Sequence, residues 1–202
     1  MLRTDIINQL IKKFDYKSYL EIGTQNPHSN YNRINVAKKT CVEPFPIAGT
    51  EDKITFIGTS DEFFKSISDD IYFDIIFIDG LHHYDQVLID IENSLQHLSE
   101  NGTIVCHDCL PTTEHMQYRE NLGGEWTGDV WKAIANLRVE RIDLDIKVVN
   151  TDYGCGIIRR GTNIPYYDSD ANYYTYTYYS TNSKRLLNVI SIEDFLLWKN
   201  SL

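Results

Sequence analysis

The 202-residue sequence predicts an α/β fold built around one largely parallel sheet. Short apolar runs of the strand type alternate five times with helical patterns, and this alternation is typical of βαβ units. Two more apolar runs follow, separated by the turn sequence Asp152-Tyr153-Gly154, so the last strand is expected to return antiparallel to its neighbour. Right-handed connections between parallel strands place helices on both faces of the sheet. The length suffices for one sizeable core and is too short for two.

The predicted elements follow one another in regular order. An N-terminal helix has Ile7, Leu10, Ile11 and Phe14 on one face. The seven predicted strands are the apolar runs at residues 19–22, 40–42, 54–57, 75–78, 104–106, 144–149 and 155–160. Helices are expected around residues 33–39, from Ser60 or Asp61 onward, between the fourth and fifth strands, and over residues 129–137.

Composition narrows the class of protein. Hydrophobic residues make up 42% and charged residues 24%, as in an ordinary soluble globular protein. The net charge of −10 argues against non-specific binding to nucleic acid or to an anionic membrane, because phosphates are neutralised by clustered Lys and Arg. No apolar run reaches the roughly 18 residues of a membrane span, and the N-terminal segment lacks the apolar core of a secretory signal. We therefore expect a cytoplasmic protein whose four cysteines are reduced.

Polar residues and one glycine come directly after the predicted strands. They are Gly23 and Thr24 after the first strand, Glu43 after the second, Asp79 after the fourth, and His107 with Asp108 after the fifth. The carboxyl ends of parallel strands meet at one edge of a sheet, and ligands bind at that edge in open α/β folds. The sequence thus predicts a ligand site here; the alternative for each residue alone is a solvated strand end or a helix cap.

The first two strand ends indicate a ligand that carries a sugar rather than a pyrophosphate. Gly23 permits a tight turn and close approach of the backbone to a ligand. The other glycines of the dinucleotide pattern G-x-G-x-x-G are absent, so a pyrophosphate is not favoured. Glu43, at the end of the next strand, can accept hydrogen bonds from both hydroxyls of a ribose.

The later strand ends carry groups suited to acid–base or metal chemistry. His82 and His83 can serve as acids, bases or metal ligands. Asp79 and Asp108 can share one hard divalent cation, since Mg²⁺ is usually held by few carboxylates and several waters. The CxxC pattern at residues 106–109 stands alone, and a single pair is weak support for zinc.

These residues, in this order, resemble the class I S-adenosylmethionine-dependent methyltransferases, and above all a small bacterial group with the motifs D-G-x-H-x-Y and H-D. The matching segments are residues 79–84 (DGLHHY), 102–108 (GTIVCHD), 128–133 (GDVWKA) and 152–156 (DYGCG). In the first of them His82 takes the motif position and His83 the variable one. The resemblance covers about residues 15–162 of the sequence. It implies a Rossmann-like three-layer sandwich with a seven-stranded, mostly parallel sheet whose last strand is antiparallel.

The resemblance also implies S-adenosylmethionine as the cofactor and gives roles to individual residues. The cofactor-binding residues would be Glu21, Gly23 and Thr24 at the methionine part, Glu43 at the ribose, Ser60 and Asp61 at the adenine, and Asp79 beside the transferred methyl group. The catalytic residues would be Asp79, His82, His107 and Asp108. The position of Asp108 binds metal in catechol-type O-methyltransferases, but there a second polar ligand flanks it, where this sequence has His107 and Cys109.

The expected function is methylation of an oxygen on a small polar or sugar-like acceptor, with His82 or His107 as the base. A Mg²⁺-like cation on Asp79 and Asp108 could acidify the acceptor hydroxyl. Alternatively, a histidine beside the two carboxylates supplies the positive charge and no metal is needed. The competing hypotheses are a Rossmann-like protein that binds a nicotinamide dinucleotide and a non-catalytic binding module. The expected partner is a small molecule, with no nucleic acid or membrane; homo-oligomerisation is left open.

The C-terminal part of the chain differs in composition. We expect a methyltransferase domain over residues 1–165 and a tyrosine-rich extension with a short helix over residues 166–202. Seven of the 14 tyrosines fall within residues 166–179, and the helix is expected over residues 186–197. The tyrosine segment is interpreted as a surface loop or edge strand, or else as a partner surface or sugar-stacking platform.

Overall fold

The fold, given by a computed structural model that describes residues 1–169 and 172–201, is a seven-stranded sheet with helices on both faces. The strands are β1 (Ser18–Ile22), β2 (Lys38–Val42), β3 (Phe73–Ile78), β4 (Leu98–Cys106), β5 (Leu144–Val149), β6 (Cys155–Arg160) and β7 (Val189–Ile190). The α-helices are α1 (Arg3–Phe14), α2 (Ser60–Ser66), α3 (Tyr84–Gln96), α4 (Trp131–Glu140), α5 (Tyr176–Leu186) and α6 (Ile192–Ser201).

The strand order is β2-β1-β3-β4-β6-β5-β7, and β6 alone runs against its neighbours. The pairs β1–β2, β1–β3, β3–β4 and β5–β7 are all parallel. The predicted Rossmann-like three-layer α/β fold, with a mostly parallel seven-stranded sheet, is confirmed. As a consequence the carboxyl ends of β1 to β4 lie at one edge, as the sequence analysis required.

Alternating side chains of the central strands build two separate apolar layers. Ile76 and Ile104 face a layer formed with α2, α3, α4 and α5, whereas Ile75 and Val105 face a layer formed with α1 and α6. These strands read as continuous apolar runs because both of their faces are buried.

The sheet has the predicted number of strands, but one of the predicted strands is replaced by another. The segment at residues 54–57 is not a strand; only Phe56 forms a bridge, with Val42. Phe56 turns its ring onto Phe63 and the chain then bends into α2, which is capped by Thr59 rather than by Ser60 or Asp61. The seventh strand is β7, which pairs with β5.

Two predicted helices differ from those observed. The helix expected around residues 33–39 is a single 3-10 turn, Tyr31–Arg33, because β2 already begins at Lys38. The helix expected over residues 186–197 is found only in its second half: α5 ends at Leu186, β7 follows, and α6 begins at Ile192.

The tyrosine-rich segment lies outside helices and strands over residues 166–169 and 172–175, enters α5 at Tyr176, and buries two of its tyrosines. Tyr179 is buried in α5, where its hydroxyl donates to the Pro111 carbonyl at 3.0 Å and its ring packs on Trp131. Tyr166 is buried as well, while Tyr167 is 77% exposed. The division of the chain at residue 165 stays a prediction, and residues 170, 171 and 202 lie outside the described part.

Within residues 1–169 and 172–201, no helix combines the length and apolar character needed to cross a membrane.

Candidate active site

Six charged side chains meet where β3 and β4 end. We name this group the ionic cluster; its members are Arg3, Asp79, His82, His107, Asp108 and Asp152. Four of them were predicted as catalytic residues, and the structure brings all four together. The remaining two, Arg3 and Asp152, were not predicted as site residues.

The two histidines each face the same pair of carboxylates. His82 Nε2 lies 3.3 Å from Asp79 Oδ1 and 3.4 Å from Asp108 Oδ2. His107 Nδ1 lies 3.3 Å from Asp79 Oδ1 and 3.0 Å from Asp108 Oδ2. Imidazole groups thus lie against both carboxylates, where positive charge would offset the repulsion between Asp79 and Asp108.

The other side of the His107 ring is held by the two residues that the sequence analysis missed. His107 Nε2 lies 3.5 Å from Asp152 Oδ2 and 3.3 Å from Arg3 Nη1. Arg3 in turn donates from Nη1 to both carboxylate oxygens of Asp152, at 3.2 and 3.1 Å. The His107 imidazole thus lies between the two carboxylates on one side and the pair of Arg3 and Asp152 on the other, and its side chain is only 5% exposed.

The cluster shifts the acidity of its members strongly. Burial alone would raise the pKa of Asp79, but His107 and His82 outweigh burial and hold that pKa far below its usual range. Burial alone would lower the pKa of His107, but Asp79, Asp108 and Asp152 raise it well above the ordinary value. The pKa of His82 is raised in the same way, with burial opposing and Asp79 and Asp108 favouring the charged form.

Unusual backbone conformations hold Asp108 and Asp152 in place. Both are left-handed, with φ of 59° and 49°. The turn after β5 is fastened to the chain leaving β4, because Cys109 N donates to the Gly154 carbonyl at 3.1 Å and Leu110 N to the Tyr153 carbonyl at 2.7 Å. Strained residues of this kind persist where the surroundings over-determine them, as is common at functional sites.

The two adjacent histidines have different roles. His82 points into the cluster, and its ring stacks on Trp126 with centroids 4.8 Å apart and planes 14° apart. His83 points away, and its Nε2 lies 3.0 Å from the Arg119 carbonyl oxygen. Gly128 explains the proximity of the Trp126 loop, since a Cβ there would collide with the His82 backbone.

The thiols beside the cluster are buried. Cys106 and Cys109 face the core, and the pKa of Cys106 is raised well above its ordinary value by its hydrogen bond to Cys109 and by burial. Neutral thiols of this kind are poor metal ligands and poor nucleophiles.

Glu43 lies across β1 from the cluster, and Gly23 lies between them at the end of β1. Glu43 is buried, and its two carboxylate oxygens accept hydrogen bonds from Gln25 N and Phe45 N, each at 2.8 Å. Gly23 has φ of 86°, and a Cβ there would collide with the Asp79 carbonyl. The glycine therefore allows β1 and β3 to exit the sheet side by side, in addition to any approach to a ligand.

Glu21 lies in a polar network within the core. Tyr19 and Asn30 both donate to Glu21 Oε2, the latter at 2.8 Å, and Thr4 donates to Asn30 at 2.7 Å. Burial raises the pKa of Glu21 to about 7, against the effect of these hydrogen bonds. Thr24 is buried next to this network.

Ser60 and Asp61 lie at the start of α2, next to a buried carboxylate that sequence analysis missed. Ser60 Oγ donates to Asp90 Oδ1 at 2.6 Å, and Gln86 Nε2 donates to both Asp90 and Asp61, at 3.0 and 3.2 Å. Burial raises the pKa of Asp90 to about 6. Asp90 occupies the α3 position that faces α2, and no sequence motif marks it.

Comparisons with known proteins agree with this geometry. Residues 13–109 match the sequence family described as a methyltransferase domain. This match covers just under half of the chain and, together with the fold, supports a class I S-adenosylmethionine-dependent methyltransferase. No curated protein matches this chain.

Solved methyltransferases share the fold of this chain. A Podospora anserina methyltransferase bound to S-adenosylhomocysteine is 21% identical, with a TM-score of 0.60 over 79% of this chain and 78% of that one. The O-methyltransferase TomG of Streptomyces achromogenes, in complex with S-adenosylmethionine, is 12% identical, with a TM-score of 0.58 over 78% and 79%. An O-methyltransferase of Bacillus cereus, in complex with S-adenosylhomocysteine, is 15% identical, with a TM-score of 0.54 over 80% and 82%. At these identities the likeness shows the fold.

Several residues at this edge could hold S-adenosylmethionine, the cofactor of the matching family. Each carboxylate oxygen of Glu43 has accepted one backbone N–H and keeps capacity for another donor, such as a ribose hydroxyl. Gly58 N donates to the Glu43 backbone carbonyl at 3.2 Å, so the chain that leads into Ser60 and Asp61 passes beside Glu43. Glu43, Ser60 and Asp61 would hold the nucleoside part. Glu21 has one oxygen committed to the core, so only its other oxygen is available to a ligand.

Proposed function

We propose that this methyltransferase transfers a methyl group from S-adenosylmethionine to a hydroxyl oxygen of a small polar acceptor, with sugars as the first class to test. The supporting observation is the order of groups along the carboxyl edge. Glu43 and Ser60 lie on one side of the Gly23 turn, and the ionic cluster lies on the other. This order separates a nucleoside-binding half from a half equipped for proton transfer.

When bound, S-adenosylmethionine supplies a methyl group attached to a positively charged sulfur. We assign His82 as the base, because it is the more exposed of the two histidines, 17% against 5%, and lies beside the Trp126 loop. As the methyl group passes from sulfur to the acceptor oxygen, a neutral His82 would take the hydroxyl proton, while His107 would keep its positive charge beside Asp79 and Asp108. Holding the reactants in line supplies roughly 7–11 kcal/mol of the barrier reduction in well-oriented reactions.

Asp79 and Asp108 orient the base, and His107 offsets their charge from the buried side. A divalent cation is the alternative, since ligand atoms of Asp79, His82 and Asp108 all lie within 4.8 Å of one another. His107 Nδ1 already lies between the two carboxylates, so this hypothesis requires His107 to give way. Full methyl transfer after exhaustive chelation would support the histidine arrangement, and loss of transfer that added Mg²⁺ restores would support the metal.

We also infer a cytoplasmic location. The four cysteines are unpaired and buried, which suits a reducing compartment.

The proposed function is tested in two stages. Calorimetry first compares binding of S-adenosylhomocysteine and of a nicotinamide dinucleotide. Formation of S-adenosylhomocysteine from S-adenosylmethionine is then measured with a panel of monosaccharides, glycosides and other polyols. His82→Gln should abolish transfer and leave cofactor binding intact, whereas His28→Gln, at an exposed histidine away from the cluster, should leave both unchanged.

Three outcomes would contradict the proposal. Failure of the wild type to bind S-adenosylhomocysteine would remove the enzyme assignment. Binding without transfer to any hydroxyl acceptor, but with transfer to an amine, would replace oxygen by nitrogen as the target. Full activity of His82→Gln would remove His82 as the base.

A further inference from the structure

Arg3 connects the first turn of α1 to the centre of the ionic cluster. Its backbone N donates to Asp152 Oδ2 at 2.8 Å, and its Nη1 donates to both oxygens of the same carboxylate. The Met1 carbonyl accepts a hydrogen bond from Thr151 Oγ1 in the same turn. The beginning of the chain is thus tied at several points to the connection between β5 and β6.

The Arg3 side chain also lies close to two other residues of the ionic cluster. Arg3 Nη1 is 3.3 Å from His107 Nε2, and Arg3 Nε is 3.9 Å from Asp79 Oδ2. An arginine needed only to join α1 to the turn after β5 would satisfy Asp152 without approaching His107 and Asp79. Its planar guanidinium, with donors in a fixed geometry, is suited to holding the Asp152 carboxylate, which in turn faces His107 Nε2.

Asp152 faces His107 from the same side as Arg3. Its left-handed conformation is followed by two more positive φ values, at Tyr153 and Gly154. A Cβ at Gly154 would lie 2.6 Å from Leu110, so this turn is packed tightly against the chain that leaves β4. The pair of Arg3 and Asp152 therefore has a rigid support.

We propose that Arg3 and Asp152 are positioning residues for methyl transfer: together they hold the His107 ring so that its Nδ1 faces Asp79 and Asp108. The proposal rests on the proposed function of the ionic cluster. It makes α1 a part of the catalytic machinery, although no motif places it there. Arg3 and Asp152 would act through His107, and neither contacts a residue assigned to the nucleoside. They therefore differ from the cofactor-binding residues.

The experiment compares Arg3→Met, Arg3→Lys and Asp152→Asn with Arg33→Met, which removes an exposed arginine elsewhere. The measurements are kcat and KM for the acceptor, affinity for S-adenosylhomocysteine, denaturant unfolding, and the ¹⁵N signals of the His107 ring at constant pH. We expect Arg3→Met and Asp152→Asn to lower kcat by roughly 10–100-fold, the usual effect of losing a residue that orients a site ligand. The affinity for S-adenosylhomocysteine should stay within about twofold of the wild type, because neither substitution removes a residue assigned to cofactor binding.

Arg3→Lys distinguishes positioning from simple charge. Lysine keeps the positive charge without the planar arrangement of donors. Compared with Arg3→Met, we therefore expect Arg3→Lys to restore the free energy of unfolding more fully than kcat. Reduced stability in Arg3→Met with unchanged kcat and unchanged His107 signals would overturn the proposal, because the pair would then be purely structural. If the wild type transfers no methyl group, the proposed function fails, and unchanged His107 signals in Arg3→Met would separately refute the positioning role.

Discussion

The buried carboxylates of this protein fall into two environments. In the ionic cluster, Asp79 and Asp152 face histidine and arginine side chains. In the proposed cofactor half, the hydrogen bonds to Glu21 and Asp90 come from hydroxyl and amide groups. The first pair has pKa values far below the ordinary range, because the neighbouring cations outweigh burial. The second pair has pKa values raised to about 7 and about 6, because burial outweighs neutral hydrogen bonds.

The difference shows that burial alone does not determine the charge of these groups. A neutral donor stabilises a carboxylate by less than desolvation costs, whereas a nearby cation can exceed that cost. The cluster therefore keeps its carboxylates ionised and available to orient a base. The cofactor half can instead contain carboxyl groups that hold a proton near neutral pH.

The largest expected effect comes from removing a cation from the ionic cluster. His107→Ala removes the imidazole that separates Asp79 and Asp108 from Asp152, and breaking such a buried arrangement typically costs about 3–5 kcal/mol. Denaturant unfolding measures the loss. As the counterpart in the cofactor half, Asn30→Ala removes a neutral donor from Glu21 and should cost about 1–3 kcal/mol. Equal losses in the two variants would erase the distinction between the environments.

Gly23 marks the border between the two halves and should be nearly as sensitive. Gly23→Ala adds a Cβ that collides with the Asp79 carbonyl at a positive φ, so we expect a loss of roughly 2–5 kcal/mol from strain and overpacking together. Gly49→Ala is the matched control, since Gly49 has a similar φ of 85° and nothing within 4 Å of the added Cβ. Thermal unfolding of both variants isolates the collision; a similar loss in both would show that the backbone conformation alone is responsible.

Glu43 tests the cofactor half directly. Glu43→Ala should weaken S-adenosylhomocysteine binding by about 1–3 kcal/mol, the cost of losing hydrogen bonds to a charged acceptor. Calorimetry measures the affinity. Asp143→Ala, which removes an exposed carboxylate bound to Arg141, should leave the affinity unchanged. Unchanged affinity in Glu43→Ala would remove this residue from the cofactor site.

The smallest effect is a gain in stability that depends on pH. The folded-state pKa of Asp90, about 6, exceeds the ordinary 3.8, so the carboxyl favours folding below pH 3.8 and loses that contribution as the pH rises through 6. Asp90→Asn should therefore have the same free energy of unfolding as the wild type near pH 4, and a value about 1–2 kcal/mol higher at pH 7. This gain is smaller than the free energy that corresponds to a pKa shift of about two units, because an amide accepts hydrogen bonds less well than a carboxylate. Unfolding free energies across this range provide the measurement. A difference that does not change with pH would contradict the raised pKa.

Sequence patterns predicted the strands of the central sheet because an apolar run and the residue that ends it belong to one short segment of the chain. Apolar runs of four to six residues ended by a glycine or an acid indicated β1 and β3, and the parallel arrangement then placed Glu43, Asp79 and Asp108 at one edge. The helix at residues 33–39 and the strand at residues 54–57 were wrong because short segments at a sheet edge depend on what packs against them. In the tyrosine-rich segment, the polar composition predicted the loop but neither the start of α5 at Tyr176 nor the burial of Tyr166 and Tyr179.

The sequence by itself determined the α/β class, the edge that carries the site and the four residues at its centre. The tertiary structure decided which of the two adjacent histidines enters the cluster, which strand completes the sheet, and which cations surround the carboxylates. Arg3 and Asp152 are 149 positions apart in the chain and meet only because α1 packs on the sheet beside the turn after β5. The physical reason is that periodicity and turn residues report a segment's own conformation, whereas a charge network depends on the distances between segments, which are set by packing.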